Sequence, residues 1–115
     1  MWNIEFYEKE NGERPVEEFL ATLSPKQMAK TLRTIELLEK YGFSIPTKYS
    51  KQIRGKIWEL RIQFSNDIQR IFYFAPKDKE NQFILLHGFT KHTQRTPESE
   101  INIAQKYYED YIRRF

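Results

Sequence analysis

Near residue 50 the spacing of apolar side chains changes from the period of a helix to that of a strand. Upstream, Val16, Phe19, Leu20 and Leu23 follow the i, i+3, i+4, i+7 rule, and Met28, Leu32, Ile35 and Leu38 form the apolar stripe of a second helix. Downstream, Trp58, Leu60, Ile62 and Phe64 alternate with Glu59, Arg61 and Gln63, which is the two-residue period of a strand. Ser65-Asn66-Asp67 is turn material, residues 68–75 read as a second strand, and residues 76–82 as a polar turn. Phe83 to Phe89 is nearly all apolar, as expected of a central strand covered on both faces. Helices followed by a run of strands predict an α+β fold with an antiparallel sheet.

The ends of the elements are marked by local chemistry. Trp2, Ile4 and Phe6 alternate as a first strand, which Asn11-Gly12 ends. Pro15 suits the first turn of a helix. Ser24-Pro25-Lys26-Gln27 is a capping-box signature, and Gly42 is the expected stop of that helix. Residues 43–50, with Pro46, read as a loop. Thr96-Pro97-Glu98 caps a last helix that buries Ile101, Ala104, Tyr108 and Tyr111. The predicted order is β-αα-βββ-α, in one domain over residues 1–115. The absence of cysteine excludes disulfides and thiolate zinc sites and fits a reducing compartment. The longest apolar run, Phe83–Leu86, is too short to cross a bilayer, and no signal peptide is visible, so a cytoplasmic protein is expected.

The formal charge of +3 is unevenly spread. Residues 48–95 hold ten Lys and Arg against four Asp and Glu, whereas the flanking segments are slightly acidic. Such a segment attracts a polyanion such as RNA, although a solvated basic face accounts for the charge equally well. A two-residue turn at Asn66-Asp67 predicts Gln63 opposite Arg70, Arg61 opposite Phe72 and Ile62 opposite Ile71. Glu59, Arg61, Gln63, Arg70, Phe72 and Phe74 then share a polar face. There guanidinium groups can fork onto phosphate and rings can stack on bases; surface ion pairing of Arg61 with Glu59 or Asp67 is the plainer alternative. Lys51, Arg54, Lys56 and Arg95 complete the basic segment and, with Phe72, are candidate RNA contacts. Lys91 and His92 leave the central strand together; the first can neutralise a phosphate and the second can move a proton near neutral pH. His87, inside the apolar strand, reads as a satisfied core histidine. No metal site or cofactor is expected from two histidines with no carboxylates clustered beside them.

Four blocks in order, Lys56-Ile-Trp-Glu-Leu-Arg61, Gln69-Arg-Ile-Phe-Tyr73, Leu85-Leu-His-Gly-Phe-Thr-Lys91 and Thr96-Pro-Glu-Ser-Glu-Ile101, resemble the HigB toxins of the RelE/ParE superfamily, in its phage-derived branch. Phe6-Tyr7 and Pro15-Val-Glu-Glu-Phe19 fit the same pattern. The resemblance implies a RelE-like fold and the toxin of a type II toxin–antitoxin system. It implies cleavage of mRNA on the ribosome without a metal, and a cognate antitoxin, a HigA-like helix-turn-helix protein. By position it assigns Arg61, Arg70 and Lys91 to the family's basic residues. His92 stands where the family commonly has a second lysine, and Glu59 lies on a strand where RelE carries a lysine. Glu59 is thereby either a base or an orienting group for Arg61. ParE-like relatives poison DNA gyrase instead, and a noncatalytic, partner-binding remnant of the fold is a third reading.

Overall fold

The computed structural model describes residues 1–92 and 95–115. Among them, five strands form one sheet: β1 (Asn3–Phe6), β2 (Ser50–Arg54), β3 (Ile57–Phe64), β4 (Asp67–Phe74) and β5 (Gln82–Lys91). The spatial order is β1-β5-β4-β3-β2; β1 runs parallel to β5 and every other pairing is antiparallel. The helices are α1 (Pro15–Ala21), α2 (Pro25–Tyr41) and α3 (Glu98–Arg114), with a 3-10 turn at Gly42–Ser44. The α+β class read from the sequence holds, with one more strand than expected. That strand, β2, begins in the stretch read as a loop. Its residues Ser50-Lys-Gln-Ile-Arg54 include one apolar side chain, so no alternating apolar face announces it. As an edge strand it is held largely by its ladder to β3.

Helices cover both faces of the sheet. On one face, Val16 and Leu20 of α1 and Ile35 and Leu38 of α2 pack on Leu60, Ile62, Ile71, Tyr73, Phe83 and Leu85. On the other, Ile101, Ala104 and Tyr111 of α3 pack on Ile57, Phe72, Phe74, Ile84 and Leu86. The first layer sits close to the strands: a Cβ on Gly88 would lie 2.4 Å from the Phe19 ring. Trp2 stacks on Phe83 at 4.3 Å between ring centroids and fills the space above Gly42, whose φ of +56° also favours glycine.

The capping box of α2 is formed as predicted: Gln27 N–H donates to Ser24 Oγ at 3.2 Å, and Ser24 N–H donates to Gln27 Oε1 at 3.0 Å. Ser24→Ala is expected to lower the stability to urea by about 1 kcal/mol, and an unchanged unfolding midpoint would contradict it. The stripe of α2 differs from expectation. Leu32 is exposed, and Thr31 and Thr34 are buried with Ile35 and Leu38. The Thr34 hydroxyl donates to the Lys30 carbonyl at 3.0 Å, which lets a threonine occupy a core position.

The far end of α3 is tied to β1 and the turn after it. Tyr7 Oη donates to Asp110 Oδ2 at 2.5 Å, and Arg114 Nε donates to the same carboxylate oxygen at 3.0 Å. Burial, and then the bond to Asp110, push the Tyr7 phenol from 10.0 up to about 12. A group raised on folding contributes stability that is complete below its unfolded value and lost as pH rises through its folded value. The stability difference between the native chain and Tyr7→Phe is therefore expected to shrink between pH 10.0 and about 12. Denaturant titrations across that range would refute this if the difference were constant.

Candidate functional site

The hairpin joining β3 and β4 sets the site. Its turn is Ser65-Asn66, closed by Phe64 opposite Asp67, and Ser65 carries a φ of 55°. Arg61 therefore lies directly opposite Arg70, Ile62 opposite Gln69 and Leu60 opposite Ile71, two residues away from the predicted pairing. A shift of two leaves every side chain on its predicted face, because the period is two. It does bring the two arginines side by side.

They tolerate each other because Glu59 lies between them. Arg61 Nε donates to Glu59 Oε1 at 2.6 Å, and Arg70 Nη1 lies 3.2 Å from both Glu59 oxygens. The Thr96 hydroxyl donates to Glu59 Oε2 at 2.6 Å and accepts from Arg70 Nη1 at 2.6 Å. Glu59 and Arg70 are fully buried, whereas the Arg61 side chain keeps 23% of its exposure. The two cations and one anion leave a net positive charge whose one solvent-facing member is Arg61. Of the two roles open to Glu59, this geometry favours orientation: it has no exposed surface from which to reach a hydroxyl.

The exposed polar face expected on this hairpin is thus corrected. Glu59, Arg70, Phe72 and Phe74 are all buried; the two rings pack with α3, and the charged pair bonds to Thr96 just before it. Phe72, expected to stack on bases, instead stacks with His87 at 6.2 Å between ring centroids and packs against Phe89. His87 is satisfied, with Nε2 3.1 Å from Glu100 Oε1.

Lys91 ends β5 opposite Ile68, itself opposite Gln63, so it shares the face of Arg61 and Arg70. Two strand spacings and two residue rises put the Lys91 and Arg61 backbones about 12 Å apart, a gap that two long side chains can close onto one phosphate. His92 follows, exposed, with Nδ1 2.6 Å from Asp67 Oδ1. Gln27 Nε2 reaches the other oxygen of Asp67 at 3.4 Å. A carboxylate on Nδ1 orients the ring, and with Gln27 as the second partner of Asp67 the pair lies on the α2 side of the sheet. The charged group in contact with His92 is thus a carboxylate.

The other candidates are dispersed. Lys51 is exposed on β2 opposite Glu59. Arg54 is tied to α3, in an ion pair with Glu98 and with Nη1 donating to Asn102 Oδ1 at 3.0 Å. Lys56 lies in the turn before β3, roughly 17 Å along the strand from Arg61, beside the cleft at the end of α3. Arg95 is exposed between β5 and α3. Thr96 was expected only as a helix cap; no local signal marks its contact with Glu59, 37 residues away in the chain. Among the described residues, no three His, Cys, Asp or Glu side chains are placed to hold a metal ion, and no helix is long and apolar enough to cross a membrane.

No curated protein matches the chain. Residues 18–109 match the model of the family described as phage derived protein Gp49-like (DUF891). That stretch runs from α1 into α3 and contains the Arg61–Glu59–Arg70–Thr96 cluster with Lys91, His92 and Asp67. With most of its length inside that model, the chain belongs to the Gp49-like phage-derived family, a family of RelE/ParE-like toxins.

Proposed function

We propose that this chain is the toxin of a HigB-type toxin–antitoxin system, an endoribonuclease that cuts mRNA on the ribosome. The observation that carries the reading is the Arg61 guanidinium, held by a buried carboxylate on the same sheet face as Lys91, which His92 follows directly in the chain. Cleavage within RNA needs no outside reactant. The ribose 2′-oxygen attacks the adjacent phosphorus, the bond to the 5′-oxygen breaks, and the proton lost by the 2′-hydroxyl is balanced by one gained at the leaving oxygen. Arg61 and Lys91 supply fixed positive charge where the phosphorane becomes more negative. His92 Nε2 is the proton carrier. Arg70, buried behind Glu59, acts by holding Arg61 in place. The expected partner is a helix-turn-helix antitoxin that blocks this face or keeps the toxin off the ribosome.

Translation run-off on a defined mRNA tests the reading. Cuts in the codon occupying the ribosomal A site are expected. Intact mRNA under conditions where the protein stops DNA gyrase would replace the nuclease with a gyrase poison. Intact mRNA and active gyrase, with the antitoxin still bound, would leave a partner-binding fold.

A further inference from the structure

A second cluster lies at the edge of β3. β2 covers that edge only from Ile57 to Leu60, and Arg61 N–H donates to the Tyr49 carbonyl at 2.8 Å. Among the described residues no strand covers it from Ile62 to Phe64. Backbone N–H and C=O groups alternate sides along a strand, so those of Gln63 point the same way as those of Arg61, toward the open edge. A cleft of about 320 Å³ runs there between Lys30 of α2, Lys48 and Tyr49 before β2, and Arg61, Ile62 and Gln63 of β3. That volume is at the small end of ligand pockets, which span roughly 300–1,000 Å³. Among the described residues its lining holds three cations and no carboxylate. Lys30 and Lys48 are exposed, the Lys48 ammonium lies 5.0 Å from the centroid of the half-buried Tyr49 ring, and buried Ile62 gives an apolar floor.

We propose that this cleft binds one nucleotide of a single-stranded RNA. Lys30 and Lys48 hold its phosphate, the base lies against Tyr49, and the Gln63 backbone offers a donor and an acceptor to the base edge. Arg61 borders both this cleft and the buried Glu59 cluster, so a strand leaving the cleft arrives at the face that carries Lys91. The inference rests on the RNA-cleaving reading and gives it a subsite outside the catalytic face. An acidic peptide adding as a strand is the competing occupant. The three open residues are fewer than the five or six of a usual strand, and a ring beside two ammonium groups suits a nucleotide better.

The test uses the free chain and an RNA tetranucleotide with 2′-O-methyl groups, which cannot be cleaved. In a titration of the ¹⁵N-labelled protein, the amide signals of Gln63 and Tyr49 are expected to move. Lys30→Ala/Lys48→Ala should bind at least tenfold more weakly, with a slope of log affinity against log salt shallower by about 1. Both lysines are exposed, and an unchanged melting temperature verifies the fold of the variant. Signals moving only around Lys91 and His92, native affinity in the double variant, or movement of Gln63 with a glutamate tetrapeptide but not with RNA would each overturn the proposal. The two readings fail separately: missing A-site cuts refute the nuclease, whereas unaltered binding by the double variant refutes the cleft.

Discussion

Replacing Glu59 by alanine is expected to cost the folded state about 3–5 kcal/mol, because it strips a buried cation of its counter-charge. Arg70 has no exposed surface and loses both oxygens that face it, while the Thr96 hydroxyl loses its acceptor. A domain of this size has a total stability of about 5–15 kcal/mol, so the variant should lose a large fraction of its margin. The cost lies in a buried cation deprived of this carboxylate and not in any large worth of the intact pair. Glu59→Leu/Arg70→Met, which removes both charges, should therefore recover most of the loss. Urea unfolding of the three proteins provides the comparison. A Glu59→Ala midpoint close to that of the native chain would mean that the cluster is hydrated and exerts no such hold.

Arg61→Gln separates chemistry from folding. Its side chain is partly exposed, and its loss leaves Glu59 still paired with Arg70 and Thr96. Stability should change by no more than about 1 kcal/mol. Cleavage on the ribosome should fall about 100- to 1,000-fold, the usual effect of removing one fixed group from the site where charge develops. Arg61→Lys should recover only part of that activity. An ammonium lacks the planar fork that lets Nε rest on Glu59 while the other nitrogens face a phosphate. Single-turnover run-off assays measure both variants, and a native rate for Arg61→Gln would remove this residue from the reacting centre.

The order of elements was legible because each helix carries its own start or stop. Pro15, the Ser24–Gln27 box and Gly42 all act within a turn or two of their own position. The site was harder to read because burial disguised it. Glu59 and Arg70 look like solvent-facing residues on alternating strands, yet each is admitted to the interior by the other and by Thr96. Phe72 and Phe74 then appeared to decorate a polar face when they form the second core. The hairpin register was beyond the pattern, since a slip of two residues preserves both faces; only the direct pairing of Arg61 with Arg70 distinguishes it. Lys30, Lys48 and Tyr49 are ordinary in sequence and meet at the edge of β3 only once β2 has ended.

The parallel pairing of β1 with β5 has a consequence for the order of synthesis. Asn3 to Phe6 are made first but find their ladder only in Gln82 to Leu85. At 5–20 residues per second that wait lasts roughly 4–15 s. Thr96, which bridges Glu59 and Arg70, emerges later still, and so does Glu98, which fastens Arg54 to α3. A nascent polypeptide that has not passed residue 85 therefore lacks the β1–β5 ladder, and one that has not passed residue 98 lacks the Arg54–Glu98 tie. Fragments from stalled or truncated translation should be inert, and the positive site arises at the end of manufacture, nearly all at once.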